Sequence, residues 1–366
     1  MKKSSLSSFI LIIVFLFGCN SRQTDVIKIG ACLPLSGDIA SYGKRAQNGI
    51  NLAISEINNS KRSKIRIIVD FQDNQGLTKE AVNIMNKFCS IDKYSLVFGG
   101  ASSSESAAMI PIANKYHVVQ MSPISSSPDL SENDYFFRVC PSDAYQAVIM
   151  AKWLISSKIS SIGLIYVKNN WGNSLQDKFI DEYHKIGGKL TDIETLNEGD
   201  RDFKTQLLKI INSKPEAIYC ISYGAEGGII LKQIKQLGFT NKIFGADVWS
   251  SPELLTGAGT AAENVYLVKP AEHSDSLYNE FIKNYQSKYK EQPDVYAAYS
   301  YDIIYLLFKT FSLNKIMGDE IRNYFLSMPE FKGVTGITKF DENGDCNSKS
   351  FIRLQIRNGK FIQIDK

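Results

Sequence analysis

Histidine is scarce in this chain, and the motifs that many enzymes need are missing from its sequence. The 366 residues include three histidines, far apart at His117, His184 and His273. We find no H-E-x-x-H motif, no G-x-S-x-G turn and no phosphate loop of the Walker type. A hydrolase or transferase needs a nucleophile next to a base, and the sequence offers no such pair. The sequence therefore predicts a protein that is not an enzyme.

One glycine-rich segment matches the loose dinucleotide-binding pattern G-x-G-x-x-G/A. It runs from Gly257 to Ala262 and reads GAGTAA. In a nucleotide site this pattern follows a strand and opens a helix, whereas here the helix-like segment 251–255 precedes it. We interpret the segment as a mobile surface loop, and we expect no cofactor.

Cysteine is too sparse and too scattered for a metal or redox site. The sequence has six cysteines and no C-x-x-C pair. Five of them follow Cys19, so at least one stays unpaired, and the sequence leaves their pairing open. These five are Cys32, Cys89, Cys140, Cys220 and Cys346. We predict no metal site.

Charge of neither sign is in large excess. The chain carries 42 Lys and Arg against 38 Asp and Glu, a formal net charge of +4, and no block of basic residues stands out. Proteins that bind nucleic acids usually carry such a block or stripe. We therefore predict no nucleic-acid partner.

The N-terminus carries the most specific short signal. Positive residues in Met1-Lys2-Lys3 precede an unbroken apolar run at 9–17, which is too short to cross about 30 Å of hydrocarbon but suits an export signal. Leu16-Phe17-Gly18-Cys19 resembles a lipoprotein signal box. It predicts removal of residues 1–18 and lipid attachment at Cys19, which would anchor an exported protein to the cell membrane. An ordinary export signal cut elsewhere, with Cys19 incidental, is the alternative.

From Val26 onward, apolar strands alternate with amphipathic helices. The first strands are predicted at 26–33, 65–71, 96–98 and 118–121. The pattern restarts after residue 143, with strands at 162–167, 217–222, 243–246 and 265–268. Such alternation predicts an α/β protein with parallel strands joined by right-handed crossovers.

The C-terminal third departs from this rhythm. Two long helices rich in tyrosine are predicted at 274–290 and 295–313. Two short strands, 351–356 and 361–364, then flank Asn358-Gly359, which is a hairpin signal.

Serine clusters follow two of the predicted strands. The strand at 96–98 leads into Gly99-Gly100-Ala101-Ser102-Ser103-Ser104, and the strand at 118–121 leads into Ser122-Pro123-Ile124-Ser125-Ser126-Ser127. Ligands of doubly wound sheets bind at the carboxyl ends of the strands, where hydroxyl and amide groups suit an anion. One cluster alone is more simply a helix cap before Glu105. Two clusters at successive strand ends favour a shared binding site.

An ordered set of short motifs resembles the branched-chain amino-acid binding proteins of ABC importers. The opening motifs are Gly30-x-x-x-Pro34-Leu35-Ser36-Gly37, Ala40-x-Tyr42-Gly43, Gly49-x-x-Leu52-Ala53 and Ile57-Asn58. The later ones are the two serine clusters, Phe137-Arg138, Trp171-Gly172, Tyr223 and Gly245-Ala246-Asp247. Together they cover 26–366, essentially the whole mature chain.

The resemblance implies the periplasmic-binding-protein type I fold, in which two doubly wound parallel-sheet lobes are joined by three hinge crossings. Lobe one would hold 26–140 plus 270–340, and lobe two would hold 141–269 plus 341–366. The crossings would lie near residues 140–141, 269–270 and 341–344.

The resemblance also implies which residues bind the ligand. Ser103 falls where the family holds an α-carboxylate, and Ser125 and Ser126 fall on the loop that adds a backbone amide and a hydroxyl. Asp247 falls where an acid holds the α-ammonium, one methylene shorter than the familiar Glu. A cap for the segment 251–253 is the alternative role for Asp247.

Aromatic residues complete the implied site. Tyr223 matches a tyrosine that contacts the ligand, and Trp171 stands where a tyrosine is common. Tyr42 would close the pocket or pack in the core. For Tyr299 and Tyr301, on a helix of lobe one, core or interlobe packing is the better interpretation.

The function implied by the resemblance is capture of a small solute, most simply an amino acid, and its delivery to the membrane permease of an ABC importer by hinge closure. A buried zwitterion needs both of its charges paired, which a carboxylate and strand-end donors supply. Two alternatives stay open: a receptor subunit that senses a ligand for a signalling partner, and a binder of amides or aromatic acids.

Overall fold

The protein is described here by a computed structural model, which covers residues 25–60, 64–131, 134–271 and 275–364. The predicted export signal and Cys19 lie outside the described residues. No helix within those ranges is both long and apolar enough to cross a membrane. Within those ranges, two large sheets flanked by helices, together with one two-stranded ribbon, form the architecture.

The first sheet has five parallel strands in the order β2-β1-β3-β4-β5. The strands are β1 (Asp25–Leu33), β2 (Ile65–Asp73), β3 (Leu96–Phe98), β4 (Val119–Ser122) and β5 (Phe136–Arg138). The helices of this half that come first in the chain are α1 (Ala40–Asn59), α2 (Thr78–Ser90) and α3 (Ser103–Tyr116). All five strands start at one edge of the sheet and end at the opposite edge, where the two serine clusters lie.

The second sheet has seven strands in the order β14-β13-β10-β9-β8-β6-β7. Its parallel strands are β6 (Ser161–Val167), β7 (Lys189–Leu196), β8 (Ala217–Ile221), β9 (Lys242–Gly245) and β10 (Tyr266–Pro270). Its helices are α4 (Asp143–Ser156), α5 (Asn170–Lys185), α6 (Lys204–Asn212), α7 (Gly224–Gln236) and α8 (Pro252–Ala258).

The chain then returns to the first sheet before it ends on the second. The returning helices are α9 (Ser276–Tyr289), α10 (Val295–Ser312) and α11 (Gly318–Ser327), followed by the small ribbon β11 (Phe331–Gly333) and β12 (Gly336–Thr338). The last two strands, β13 (Phe351–Arg357) and β14 (Lys360–Gln363), form the predicted hairpin. Strand β13 pairs antiparallel with β10, so the hairpin extends the second sheet.

Each sheet has its own apolar core. One buried cluster extends from Ile29 to Cys140 and resumes from Tyr278 to Phe340. The other extends from Ala147 to Val268 and includes Leu354 and Ile356. The predicted two-lobe α/β fold is therefore confirmed, whereas the exact lobe boundaries stay a prediction.

A close helix contact in the first lobe positions residues that face the second lobe. Helices α1 and α10 touch at Gly49, where a Cβ atom would lie 2.1 Å from the carbonyl oxygen of Ala297. Only glycine allows the two backbones to approach this closely. The contact fixes the first turns of α1, which carry Tyr42 and Arg45.

Several elements differ from the sequence prediction. Strands β5, β7, β11 and β12 and helix α11 were not expected. The segment 257–262, predicted as a mobile loop, instead ends α8 and forms a short 3-10 turn, with Ala258 and Ala262 buried. Gly257 packs closely against α7, where a Cβ on Gly257 would lie 3.2 Å from the Cα of Gly228, so the segment is held against the second lobe. The buried Tyr299 and Tyr301 lie in the core of the first lobe.

Candidate functional site

The first serine cluster forms the start of α3. Ser102 caps this helix: its Oγ accepts from the Glu105 amide at 3.2 Å, and Glu105 Oε2 accepts from the Ser102 amide at 3.1 Å. The helix cap proposed as the simpler role of this cluster is therefore Ser102 rather than Ser103. Ser103 is buried at the first helical position, and its Oγ accepts from the Ser127 amide at 3.2 Å. This contact joins the two serine clusters.

Ser125 holds the second cluster against the first. Its hydroxyl lies 3.0 Å from the carbonyl oxygens of Gly100 and Ser102, and 2.7 Å from Ser106 Oγ. Its amide donates to Ser122 Oγ at 2.9 Å. The hydroxyl of Ser125 is therefore engaged by the first cluster and α3, and its amide by its own loop, so Ser125 holds the two clusters in position.

Ser126 points instead towards the second lobe, where it meets a buried carboxylate. Its hydroxyl donates to Asp143 Oδ2 at 2.7 Å, and the Trp171 indole N–H donates to the same oxygen at 2.7 Å. The Ser126 amide has no acceptor among the described residues. A donor on the first lobe and an aromatic donor on the second thus converge on Asp143, at the start of α4.

Gln146 links Asp143 to the second buried carboxylate, Asp247. Its side-chain nitrogen donates to Asp143 Oδ1 and, at 3.1 Å, to Asp247 Oδ1. Its side-chain oxygen accepts from the Asp247 amide at 2.7 Å. Asp247 follows β9 and is buried, and Ser251 caps α8, so the alternative role of Asp247 as an exposed cap is wrong.

The two carboxylates are electrostatically unfavourable neighbours. Burial raises the pKa of Asp247 well above its usual range, and the charge of Asp143 raises it further. Burial also raises the pKa of Asp143, although hydrogen bonds from Ser126, Trp171 and Gln146 oppose this change. Neither carboxylate forms an ion pair with a Lys, Arg or His side chain in the described ranges. The site therefore holds two buried carboxyl groups that no described Lys, Arg or His side chain pairs with directly, and the raised pKa of Asp247 favours its protonated form until a cation approaches.

Four aromatic rings form one wall of the cleft. Trp171 stacks on Tyr223, with ring centroids 5.2 Å apart and an angle of 21° between the planes. Tyr42 of the first lobe lies 6.2 Å from Tyr223 and makes an edge contact with Tyr296 at 5.6 Å. Asn169 donates to the Tyr223 hydroxyl at 3.2 Å, which fixes the ring. Rings from both lobes thus enclose the region beside the carboxylates.

Polar contacts across the cleft hold the lobes together in this structure. Arg45 of α1 pairs with Glu253 of α8 and also lies 3.4 Å from Asp294, just before α10. The Asn170 amide donates to Ser104 Oγ at 3.3 Å, at the facing starts of α5 and α3. Together with the tyrosine contacts, these pairs define a closed arrangement.

The concave spaces of the molecule do not all lie at this site. A narrow cavity of about 60 Å³ opens at the edge of the cleft, lined in part by Tyr42, Tyr223 and Glu253. Two larger grooves, of about 330 and 560 Å³, lie outside the cleft on the second and first lobes. Cavity size alone would therefore misplace the site, and the converging polar groups are the better guide.

The structure brings most of the predicted residues together. Contacts connect Ser103, Ser126, Trp171, Tyr223, Asp247 and Tyr42 through neighbours within the cleft. Asp143, Gln146 and Tyr296 also lie at this site and were not predicted from the sequence. Asp143 carries a signal that was available, because a serine followed by an acid before an apolar helix also marks a helix start, and this one lies at a predicted hinge.

Comparison with known proteins identifies the family. The periplasmic binding protein family matches residues 26–360. A Leu/Ile/Val-binding protein homolog 1 of Brucella abortus (strain 2308) is 26% identical over 98% of this chain and 97% of the relative. The branched-chain amino acid substrate binding protein LivJ of Streptococcus pneumoniae, solved with isoleucine, is 27% identical with a TM-score of 0.82, covering 93% of this chain and all of that one.

A more distant structure shares the fold alone. A solute binding protein of an ABC transporter from Rhodopseudomonas palustris BisB5, solved with 3,4-dihydroxy benzoic acid, is 22% identical with a TM-score of 0.82. It covers 93% of this chain and 96% of its own.

The chain belongs to the periplasmic binding protein family. It is accordingly an exported ligand-binding protein of the ABC-transporter type, with a small-molecule ligand. The family consists of solute-binding proteins, so its match confirms the prediction that the chain is not an enzyme.

Proposed function

We propose that this protein captures a free α-amino acid between its lobes and delivers it to an ABC importer. The observation that carries this proposal is the pair of buried carboxylates, Asp143 and Asp247, which no cationic side chain neutralises by direct pairing within the described ranges. A buried charge without a partner costs several kcal/mol. The α-ammonium of the ligand would supply the missing positive charge, with Asp247 as its principal partner.

The other end of the ligand has donors of its own. The α-carboxylate would lie at the start of α3, close to Ser103 and the amide of Ser126. A helix start favours negative charge because its first amides lack partners and its dipole is positive there. A molecule that carries an ammonium and a carboxylate group on the same carbon would pair with both sets of polar groups at once.

The side chain of the ligand would meet the aromatic wall. Trp171 and Tyr223 present a continuous stacked surface, and Tyr42 covers it from the first lobe. An apolar side chain packed against these rings gains from burial. The isoleucine complex of LivJ, at 27% identity, supports a branched-chain or similar apolar amino acid.

Capture and delivery follow from closure. The ligand would bind first to the lobe that holds its carboxylate, and Asp247 of the other lobe would complete the pairing only when the lobes meet. A ligand shifts this equilibrium only by its additional contacts in the closed form. The permease would bind the closed surface. The protein would be held at the membrane by a lipid on Cys19.

An aromatic acid is a second candidate ligand. The raised pKa of Asp247 would let its protonated carboxyl group donate to a ligand that lacks an ammonium. The stacked rings of Trp171 and Tyr223 suit an aromatic ring, and the Rhodopseudomonas palustris protein binds 3,4-dihydroxy benzoic acid.

A thermal-shift screen separates the two candidates. Residues 20–366 would be heated with single amino acids, their methyl esters, their N-acetyl forms and aromatic acids. At one hundred times its dissociation constant a ligand adds about 2.7 kcal/mol to stability, which raises the melting temperature by a few degrees. The proposal expects a rise with free amino acids that both blocking groups abolish. A rise with benzoates and none with amino acids would contradict it.

A further inference from the structure

The amino edge of the first sheet, where its parallel strands begin, carries an exposed apolar surface. Ile91, between α2 and β3, is 73% exposed, and Met317, just before α11, is 59% exposed. Leu313 and Ile316 in the same connection, and Val26 at the start of β1, are also exposed. We call these five residues the amino-edge patch.

The fold places the members of this patch at one edge. Helix α2 runs back from the end of β2, so Ile91 follows it at the amino edge. The connection before α11 reaches the same edge, because a Cβ on Gly318 would lie 1.7 Å from the carbonyl oxygen of His117 and 3.4 Å from that of Ser95. Ser95 directly precedes β3, and His117 lies two residues before β4.

Charges at this edge favour an anionic partner. Exposed basic residues outnumber exposed acidic ones once the pairs Lys87–Asp92 and Arg322–Asp134 are set aside. The basic residues are Lys28, Lys64, Arg66, Lys93, Lys115 and Lys315, and the acidic ones are Asp25, Asp319 and Glu320. Apolar side chains among lysines are typical of surfaces that lie on anionic lipid.

The position of the chain start indicates which partner covers the patch. Strand β1 begins at Asp25. Because Gly30 of β1 pairs with Val97 of β3, β1 begins several residues before β3 does, at the amino edge of the sheet. The chain that precedes Asp25 therefore leaves from this edge. Only five residues, 20–24, lie between Cys19 and Asp25, so six peptide steps join them. An extended chain of that length spans about 20 Å. A lipid on Cys19 would therefore hold this edge close to the bilayer.

We propose that the amino-edge patch lies on the lipid bilayer, with Ile91 and Ile316 entering the headgroup region of anionic lipid. This proposal depends on the proposed lipid anchor at Cys19. It would turn the opposite edge, which holds the binding site, away from the membrane until the permease is met.

Tryptophan fluorescence can test this contact because bromine in the lipid should not quench the native tryptophans. Trp153, Trp171 and Trp249 are all buried in the second lobe. The lipidated full chain would be placed in phosphatidylglycerol vesicles, with and without bromine on the acyl chains, as the single variants Ile91→Trp and Ile316→Trp. Bromine quenches tryptophan only at short range. The matched control is Ile193→Trp, because Ile193 is exposed on β7 of the second lobe.

The proposal expects bromine to remove the emission that the added tryptophan contributes in both patch variants, and to leave the emission of Ile193→Trp unchanged. Unchanged emission from both patch variants, while Cys19→Ser releases the protein from membranes, would overturn the proposed surface and leave the anchor intact. If the wild-type chain is not retained on membranes, the proposal of a lipid anchor at Cys19 is wrong. Residues 20–366 would then be tethered through an N-terminal histidine tag to a nickel-chelating lipid. Quenching there supports the surface, and its absence overturns it.

Discussion

Trp171 stacks on Tyr223 at 5.2 Å while its indole N–H donates to Asp143 at 2.7 Å. One side chain therefore does two things: it forms the aromatic wall of the cleft, and it stabilises the charged form of a buried carboxyl group. The two contributions can be separated by substitution, because phenylalanine retains the ring and loses the donor.

Trp171→Phe is expected to lower the free energy of unfolding by about 1.5–3 kcal/mol, the usual worth of a hydrogen bond to a charged group. Trp171→Ala also loses packing and is expected to cost about 3–5 kcal/mol. Both variants should bind the ligand more weakly, as measured by urea unfolding and calorimetric titration.

Trp153→Phe provides the matched control. Trp153 packs against Phe244 and Tyr266 in the core of the second lobe, away from the cleft. This variant should lose stability and keep its ligand affinity. Equal affinity in Trp171→Phe and wild type would show that the contact with Asp143 does not matter for binding.

The ligand-free protein should become less stable as the pH rises from about 4 towards neutrality and beyond. Asp247 has a raised pKa when folded, so above the usual aspartate value near 3.9 the native state binds more protons than the unfolded state. Stability rises with pH only where the unfolded state binds more protons, and here the opposite holds. Asp247→Asn removes this carboxyl group and should flatten the profile, as measured by urea unfolding across this range.

Around neutral pH, Asp247→Asn should therefore be more stable than wild type, by about 1–2 kcal/mol. The exposed Asp181→Asn on α5 serves as the control and should follow the wild-type profile. A slope that is the same in Asp247→Asn and wild type would assign the pH dependence to other groups.

Arg45→Gln should favour the open form of the protein. Arg45 joins α1 to Glu253 of the second lobe, and both side chains are only partly exposed. A pair of this kind stabilises the closed form by about 1 kcal/mol, so its loss should make the dissociation constant of the ligand about fivefold larger. Faster ligand release and a larger radius of gyration in X-ray scattering would check this expectation.

Lys185→Gln is the control, because Lys185 pairs with Glu182 within one helix of the second lobe. It should leave ligand release unchanged. An Arg45→Gln variant with the wild-type release rate would show that the ion pair does not stabilise closure.

The sequence predicts the fold well because its signals are local. Alternating strands and helices, and the Asn358-Gly359 turn, follow from short-range patterns that the structure retains. Strand β7 escaped prediction because five of the eight residues of its sequence, KLTDIETL, are polar and because it lies at the edge of the sheet. Its partly exposed side chains lack the apolar run that marks the inner strands.

The site was only partly predictable. Ser126 and Asp247 lie at strand ends, where a general rule directs attention to polar residues. Gln146 lies within an apolar helix, and its role appears only when Asp143 and Asp247 are brought to either side of it. The pair Arg45–Glu253 joins residues 208 positions apart, a contact that no local pattern encodes.

The most direct test of the amino-acid proposal is calorimetric titration of wild type, Asp247→Asn and Asp181→Asn with the amino acid that the thermal-shift screen selects, in two buffers of different ionisation heat. We predict that wild type and Asp181→Asn bind with release of a proton, because the ligand's ammonium ionises Asp247, and that Asp247→Asn loses measurable binding. Binding of equal strength in Asp247→Asn, without a change in proton release, would contradict the assignment of Asp247 as the partner of the ammonium group.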